Sequence, residues 1–292
     1  MKDRPSAWED DISRHAIDNE PFENVAPISD RLDELVNMSA PILGKQDLKE
    51  FAAKDTLPLP CADDREKYNV NADARYWFTG FVDYMRVMKQ ARKYSVNVNR
   101  MFDFGCASGR VIRHFAIQSN VSEIWGSDID TRHIRWLSKF MPMHVKPVAN
   151  HASSSLPFRD NMFDLVTSFS VFTHIDTFET YWLAELRRVL SDKGLAYITI
   201  HNEDTWKRMA DQVDNEKNRL VQSMIKVDPD TPEKLQGEMP EGRSVYRFTE
   251  IGPYRANVFH SNSYIHEVWG RFFEILAIIP YHHRHQSVVV MK

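Results

Sequence analysis

The sequence is poor in cysteine and has no long hydrophobic run. Its two cysteines, Cys61 and Cys106, cannot build a disulfide framework, and neither stands at the spacing of a metal site. No apolar segment approaches the roughly 18 residues of a membrane-spanning helix. The first residues, MKDRPSAWEDDISRHAID, carry charge where a secretory signal has an apolar stretch. These absences predict a cytoplasmic protein in a reducing compartment, with no membrane as its partner.

The sequence also lacks an excess of positive charge. Lysine and arginine number 37 against 41 aspartate and glutamate, which gives a formal net charge of -4. No large positive field therefore favours binding to nucleic acid. The composition, with 42% hydrophobic, 12% aromatic and 27% charged residues, is that of a globular protein rather than a disordered one. We expect a folded protein whose partner is neither nucleic acid nor a membrane.

Two parts of the chain differ in their hydrophobic pattern. Short amphipathic pieces and prolines alternate near the start, and Leu57-Pro-Leu-Pro60 must break any helix. Large apolar side chains then recur at helical spacing from Asp73 to Lys93. We interpret residues 1–95 as a helical N-terminal arm or cap, which is also a candidate surface for homo-oligomer formation, and residues 96–292 as the main domain.

Strand and helix patterns alternate in the main domain. The predicted strands are Arg100 to Phe104, Ile124 to Ser127, His144 to Val148, Asp164 to Phe169 and Leu195 to His201. Helical patterns lie between them, of which Thr131 to Phe140 and the segment around Trp182 to Leu190 are the clearest. This alternation predicts βαβ units, and hence a doubly wound α/β fold with a mostly parallel sheet.

The end of the chain departs from this alternation. Strand patterns over Glu274 to Pro280 and Ser287 to Lys292 are separated by only six residues, too few for a crossover helix, so they predict an antiparallel C-terminal hairpin. Before the hairpin we expect a helical insertion over residues 203–247. It contains one long helix from Trp206 to Met224 and a loop from Asp228 to Arg243.

The first predicted strand leads into a glycine turn. Gly105 allows a sharp turn, and Gly109 allows close approach to a helix or ligand. The spacing is GxxxG rather than the GxGxxG of dinucleotide-binding folds. Asp103 would repel a pyrophosphate but would attract a ligand with an ammonium group, such as S-adenosylmethionine. A plain tight turn in any α/β protein remains the alternative.

A second carboxylate follows the next strand. Asp128 lies 19 residues after Gly109, at the end of the second predicted strand, where a carboxylate can accept hydrogen bonds from both hydroxyls of a ribose. The alternative role is a helix N-cap, for which Asp130 is the better candidate because it directly precedes Thr131.

From Arg100 to Lys292 the chain resembles class I S-adenosylmethionine-dependent methyltransferases. Their first motif has the pattern D-x-G-x-G-x-G, and this sequence has Asp103, Gly105 and Gly109 but Ala107 at the central glycine. Further resemblance lies in Leu156 to Val166, Ser170 to Ile175, Trp182 to Leu190, Phe259-His-Ser, Tyr264, Trp269, Phe273 and Gln286. The resembling branch contains small methyltransferases often encoded near glycosyltransferases.

The resemblance implies a fold, a cofactor and a set of contacts. The fold would be a Rossmann-like sheet of seven strands, and the cofactor S-adenosylmethionine. The implied cofactor-binding residues are Asp103, Gly105, Cys106, Ala107, Gly109, Asp128, Ile129, Ser153 and Ser170. Ile129 would contact the adenine, although a core role fits it nearly as well. Ala152 and Ser153 stand near the adenine edge, where an aspartate is more usual.

The resemblance implies methyl transfer to a small-molecule acceptor, at a hydroxyl of a sugar or another polyhydroxylated metabolite. A hydroxyl acceptor has to lose its proton, and histidine is the usual base near neutral pH. His174 and His201 follow predicted strand ends, and we favour His174 as the base. Its alternative role is to form a hydrogen bond with the backbone and cap the following helix. Asp176 is a candidate to orient His174 or to cap that helix, and we favour the cap.

Several other activities are disfavoured. The segment Ser168-Phe-Ser-Val171 lacks the Pro-Pro-aromatic clamp that amino-methyltransferases use to hold a flipped base. Cys106 lies in the glycine turn, where a packing role is simplest. The cluster Tyr281-His-His-Arg-His285 falls in the predicted hairpin turn, so we expect exposed side chains there and no metal. An NAD-dependent oxidoreductase and a non-catalytic, cofactor-binding scaffold remain as alternatives.

Overall fold

The computed structural model describes residues 20–44, 46–65, 68–69, 72–216, 218–248 and 256–292. Their strands are β1 (Asn24–Val25), β2 (Leu59–Pro60), β3 (Arg100–Phe104), β4 (Glu123–Asp128), β5 (Val145–Ala149), β6 (Phe163–Ser168), β7 (Leu190–Ile200), β8 (Arg243–Arg247), β9 (Ala256–His260), β10 (Ile275–His283) and β11 (Gln286–Met291). The helices are α1 (Leu48–Ala52), α2 (Asp73–Lys93), α3 (Ile112–Gln118), α4 (Thr131–Phe140), α5 (Glu179–Val189), α6 (Glu203–Ala210), α7 (Arg219–Val227), α8 (Thr231–Lys234) and α9 (Asn262–Val268). The charged segment at the start of the chain lies outside the described residues.

Seven of the strands form one sheet, in the order β10-β11-β7-β6-β3-β4-β5. β3 pairs with β4 and β4 with β5 in parallel register, with α3 and α4 as the crossovers. Four of the five residues of β3 and three of the six residues of β4 are buried, as expected for strands inside a parallel sheet. The predicted α/β fold with a mostly parallel sheet is confirmed.

The C-terminal hairpin is also confirmed. β11 pairs antiparallel with both β10 and β7, and all six of its residues are buried. β10 ends three residues later than the sequence pattern predicts and β11 begins one residue earlier, so only Arg284 and His285 separate them. His282 and His283 therefore belong to β10, and the expectation of an exposed turn is wrong for His283, which is 3% exposed.

The long helix predicted from Trp206 to Met224 is wrong, because the structure has two helices there, α6 and α7. The Asn218 side chain accepts a hydrogen bond from the backbone N–H of Val221 and so begins a new helix. Apolar residues of both helices face one local core, formed by Trp206, Met209, Val221, Met224, Leu235, Met239 and Phe259. The apolar residues therefore keep helical spacing, although the helix itself is interrupted between α6 and α7.

The loop predicted from Asp228 to Arg243 contains the short helix α8 and ends where β8 begins. β8 pairs antiparallel with β9 in a separate two-stranded sheet, with Val245 opposite Val258. The sequence analysis did not predict this sheet. Its strands have little alternation of apolar and polar residues, and β9 is buried throughout.

The chain folds as two compact units, which are described separately. The first contains the described residues of Met1–Leu156 together with Phe163–Leu165, and the second contains Pro157–Met162 and the described residues of Val166–Lys292. The domain boundary that we predicted near residue 95 remains a prediction. None of the helices in the described part of the chain has the length and hydropathy needed to cross a membrane.

In the first unit, the N-terminal arm is fixed by a buried ion pair. The Arg113 guanidinium of α3 donates to both carboxylate oxygens of Asp55, from Nε and Nη2, at 2.8 Å each. Trp77 Nε1 of α2 donates to the same carboxylate at 2.7 Å. Asp55, Arg113 and Trp77 are all 0% exposed. The arm is therefore part of the core of this unit.

Candidate functional site

The loop after β3 has the turn that its glycines predict. Gly105 has φ +75° and Gly109 has φ +78°, in the region that glycine adopts without strain. The backbone N–H groups of Gly105 and Cys106 both donate to the carbonyl oxygen of Ser127, at 2.8 and 2.9 Å. The loop is therefore bound to the end of β4.

Close packing fixes the loop on its other sides. A Cβ atom at Gly109 would lie 2.5 Å from Leu137 Cδ2 of α4, so no larger residue fits there without movement. A Cβ atom at Gly126 of β4 would lie 2.8 Å from Cys106 Sγ. Gly126 was not among the predicted site residues, although an isolated glycine within a strand often marks close approach of another segment.

Ala107 stands where the methyltransferase motif has its central glycine, and it has φ +44°. A side chain in this left-handed region costs about 1–2 kcal/mol. The backbone N–H of Ala107 donates to Asp128 Oδ2 at 2.8 Å, which stabilises this conformation. The alanine therefore preserves the turn at some cost in backbone strain.

We expect Ala107→Gly to raise the free energy of unfolding by about 1 kcal/mol or less, because it removes strain but adds freedom to the unfolded chain. Ala107→Val should lower it, because a β-branched residue disfavours positive φ. Urea unfolding of the two variants and calorimetric titration with S-adenosylhomocysteine measure both effects. A loss of affinity of more than about tenfold in Ala107→Gly would show that the methyl group itself contacts the ligand.

Asp128 ends β4 as predicted, and its carboxylate joins two segments. Oδ2 accepts from the N–H of Ala107, and Oδ1 accepts from the N–H of Asp130 at 2.9 Å. Burial by itself raises the pKa of Asp128, but the nearby His133 ring, whose Nδ1 lies 3.8 Å from Oδ1, and the hydrogen bonds from these two amides hold the pKa below its usual value. A carboxylate has about four acceptor positions, so Asp128 can still accept from a ligand.

Asp130 is the N-cap of α4, as predicted. Its carboxylate accepts from the N–H of Arg132 at 2.8 Å, and the helix begins at Thr131. The cap role is thus filled by Asp130 and not by Asp128, which leaves the second carboxylate for the candidate ribose contact.

The other predicted cofactor residues of this unit have differing exposures. Asp103 is 2% exposed and lies in β3 opposite Gly126. Ile129 is partly buried, directly after β4. Ser153 is exposed, four residues after the end of β5. Asp103 lies in the strand that leads into the 105–109 loop, and Ile129 directly follows the last residue of β4.

Asn150, which the sequence analysis did not include, directly follows β5. Its backbone N–H donates to the carbonyl oxygen of Asp128 at 3.0 Å, and its Nδ2 donates to His151 O at 2.9 Å. Its Oδ1 is buried and accepts no hydrogen bond from the described residues. A buried amide oxygen without a donor is uncommon and suits a ligand that brings one. The signal available in the sequence was an amide at the first position after a strand.

In the second unit, Ser170 is held in a left-handed conformation with φ +59°. Its N–H donates to Thr199 Oγ1 at 2.7 Å, and its Oγ donates to Gln286 Oε1 at 3.1 Å. Both partners belong to strands of the same unit, β7 and β11. These bonds fix the loop that leads from β6 towards His174.

His174 has a defined orientation. Its Nδ1 lies 2.7 Å from the carbonyl oxygen of Ala256, which can only accept, so Nδ1 carries the hydrogen and Nε2 has the lone pair. Burial lowers the pKa of His174 to about 4, although the bond to Ala256 opposes this shift. His174 is therefore neutral at physiological pH.

Neither His174 nor Asp176 caps the following helix. The N-cap of α5 is Phe178, which makes no side-chain cap. The Asp176 carboxylate instead accepts from Arg247 Nε of β8 at 2.7 Å. Our interpretation of Asp176 as a cap is wrong, because an arginine on β8 competes for its carboxylate more strongly than a helical N–H.

His201 follows β7 and is 2% exposed. Burial, together with the neighbouring His285, His174 and His260, keeps its pKa well below the usual value. Its Nε2 lies 3.5 Å from Gln286 Nε2, and its ring stacks on His285 at 5.4 Å between centroids. The second unit thus brings both candidate bases, His174 and His201, into one group with His285.

The histidines near the hairpin have hydrogen-bonding and packing partners. His282 Nδ1 lies 2.6 Å from the hydroxyl of Tyr197, and the His283 ring packs against Phe169. Among the residues that the structure describes, no group of three or more His, Cys, Asp or Glu side chains is arranged to hold a metal ion.

Comparisons with known proteins agree with this geometry. Residues 102–198, about a third of the chain, match the sequence family described as "Methyltransferase domain". The match covers the glycine loop, Asp128 and strands β4 to β6, and most of β3 and β7. No curated protein matches the sequence.

Several solved structures are similar to this chain at low sequence identity. A proposed S-adenosylmethionine-dependent methyltransferase from Listeria monocytogenes has a TM-score of 0.50 and 14% identity, over 72% of this chain and 97% of its own. The 1,6-didemethyltoxoflavin-N1-methyltransferase from Burkholderia thailandensis has a TM-score of 0.49 and 13% identity, over 79% and 85%. The YcgJ protein from Bacillus subtilis has a TM-score of 0.36 and 20% identity over 44% of this chain, which covers 58% of that protein.

Proposed function

We propose that the chain is an S-adenosylmethionine-dependent methyltransferase, which the match of residues 102–198 to the methyltransferase domain family supports, and that it methylates a hydroxyl group of a small molecule, such as a sugar or another polyhydroxylated metabolite. The observation that carries the proposal is the neutral imidazole of His174, whose Nδ1 is bound to Ala256 O. This tautomer leaves Nε2 as the proton acceptor that a hydroxyl substrate requires.

The residues of the first unit suit the cofactor in their hydrogen-bonding capacity. Asp128 retains acceptor positions for the two hydroxyls of a ribose, and Asn150 Oδ1 is a buried acceptor for an adenine amine. Asp103 supplies negative charge before the glycine turn, which suits the ammonium group of the amino-acid part, directly or through water. We assign the nucleoside to Asp128, Ile129 and Asn150 and the amino-acid part to the 105–109 loop.

The contacts of Ser153 and Ser170 give less support to a cofactor-binding role for these two residues. Ser153 is exposed and lies beyond Asn150, so we assign the adenine edge to Asn150 first. Ser170 has its hydroxyl bound to Gln286, and its role is to hold the loop that carries His174. The backbone of Cys106 and Ala107 contributes to the turn, and the Cys106 thiol packs against Gly126.

When bound, S-adenosylmethionine supplies a methyl group on a sulfonium, and its leaving group is a neutral thioether that needs no protonation. The chain itself has to orient the acceptor and remove one proton. His174 Nε2 would accept the proton of the acceptor hydroxyl and later release it to water. Orientation of the reactants contributes up to about 7–11 kcal/mol in favourable cases, and general-base assistance about a hundredfold in rate.

We favour His174 over His201 as the base for a geometric reason. His174 is partly exposed and has one nitrogen fixed as donor, whereas His201 is almost fully buried between Gln286 and His285. A base must reach the substrate, which favours the more accessible ring. His201 then supports the group by packing and by its hydrogen bond to Gln286.

Turnover should rise with pH through about pH 4 and stay level from about pH 6 to 8, because only neutral His174 can accept a proton and burial lowers its pKa to about 4. His174→Gln should lower kcat about a hundredfold. The measurement is transfer of labelled methyl groups to a panel of sugars and polyols. His266→Gln is the control, because His266 is exposed on α9. Full turnover in His174→Gln would refute the assignment.

A further inference from the structure

We propose that Asp64, in the N-terminal arm, is a positioning residue for S-adenosylmethionine binding. Asp64 contacts two segments at once, the 105–109 loop and the start of α4 after Asp128. It would thereby hold together the two segments to which we assign the amino-acid and nucleoside parts of the cofactor. The inference rests on the cofactor site proposed above.

The first contact is between backbone and side chain. Ser108, within the glycine turn, donates from Oγ to the carbonyl oxygen of Asp64. Ser108 is 0% exposed and Asp64 is 1% exposed. A buried hydroxyl that lost this acceptor would carry an unsatisfied donor, at the point where the turn has to keep its conformation.

The second contact is an ion pair. Arg132 Nε donates to Asp64 Oδ1, and the Arg132 backbone N–H is bound to the N-cap residue Asp130. Cys61 Sγ donates to the other carboxylate oxygen at 3.4 Å. The carboxylate therefore fixes the first turn of α4, which begins three residues after Asp128 at the end of β4.

The arm has an independent anchor, so the role of Asp64 can be separated from folding. Asp55, bound to Arg113 and Trp77, keeps the arm in the core of the first unit. Loss of the Asp64 carboxylate should therefore leave the arm in place and release only Arg132 of α4 and Cys61, while Ser108 keeps its bond to the Asp64 backbone. The effect should appear in cofactor affinity more than in stability.

The test is calorimetric titration of the full chain with S-adenosylhomocysteine. We expect Asp64→Asn and Arg132→Met each to weaken binding about tenfold, and the double variant to be no weaker than the weaker single variant, because both remove one contact. Arg132→Lys should retain affinity within about threefold, since it keeps the cation. Ser108→Ala, which removes no charge, should weaken binding about threefold to tenfold.

The matched control is Glu123→Gln. Glu123 also pairs with an arginine across β3 and β4, at 2.9 Å from Arg100 Nε, but at the amino ends of these strands. The affinity of Glu123→Gln for S-adenosylhomocysteine should equal that of the wild type. Thermal unfolding of each ligand-free variant measures stability separately.

Affinity within twofold of the wild type in both Asp64→Asn and Ser108→Ala would overturn this inference and leave the proposed function intact. Tenfold effects that add to a hundredfold in the double variant would also overturn it, because the two residues would then act independently. No binding of S-adenosylhomocysteine to the wild type would overturn the proposed cofactor site and this inference together.

Discussion

Asp128→Ala is expected to weaken binding of S-adenosylhomocysteine at least about a hundredfold. The carboxylate accepts from the N–H groups of Ala107 and Asp130, so its loss leaves both without this acceptor and loosens the glycine loop. It also removes the proposed acceptor of the ribose hydroxyls. Each hydrogen bond to a charged group contributes about 1.5–3 kcal/mol, and about 1.4 kcal/mol corresponds to tenfold in affinity.

Calorimetric titration measures this effect, with Asp130→Ala as the matched control. Asp130 is close in sequence but caps α4, so its loss should lower the free energy of unfolding by about 1 kcal/mol and change affinity less than threefold. Asp128→Asn, which keeps one acceptor oxygen, should lie between the two. Equal affinities in Asp128→Ala and Asp130→Ala would contradict the ribose assignment.

Arg113→Met is expected to lower the free energy of unfolding by about 3–5 kcal/mol, the largest effect on stability that the structure predicts. Both Asp55 and Arg113 are fully buried, and removal of the arginine leaves a buried carboxylate without its countercharge. Urea unfolding checks this value. The double variant Asp55→Leu/Arg113→Met should be less destabilised than Arg113→Met alone, because no buried charge remains unpaired.

The same pair predicts a dependence on pH. Burial by itself raises the pKa of Asp55, but the charge and hydrogen bonds of Arg113 bring the pKa below its usual value. A depressed pKa gives stability that is present above the unfolded value of about 3.9 and is lost as pH falls through the folded value. The difference in stability between wild type and Arg113→Met should therefore shrink below about pH 4. A constant difference from pH 7 to 3 would show that the pair contributes nothing through Asp55.

The sequence predicted the fold where local signals and tertiary packing coincide. Thr131–Phe140 and Asp73–Lys93 are helices with the predicted bounds, because a capping aspartate or a sustained apolar face marks them. The pattern failed between Trp206 and Met224, where two short helices bury one shared core and preserve the helical spacing. Strands β8 and β9, which pair with each other, were not predicted, because apolar and polar residues do not alternate along them.

The candidate site could be predicted only in part. Asp128, Gly105 and Gly109 follow from charge and backbone freedom at strand ends, which the sequence displays directly. Asn150 and Asp64 do not, since their importance comes from contacts with Asp128 and Arg132 that are distant in sequence. Asp176 was misassigned because a distant arginine, Arg247, took the carboxylate that local rules give to the helix.

The central claim is that the carboxylate before the glycine turn receives the amino-acid end of S-adenosylmethionine, while Asp128 receives its ribose. A crystal structure of the complex with S-adenosylhomocysteine tests this most directly. We predict that the ligand's ammonium group lies within hydrogen-bond distance of Asp103, or one water away, and that both ribose hydroxyls donate to Asp128. A ligand bound elsewhere, with Asp103 remote from its ammonium group and Asp128 remote from its ribose, would contradict the claim.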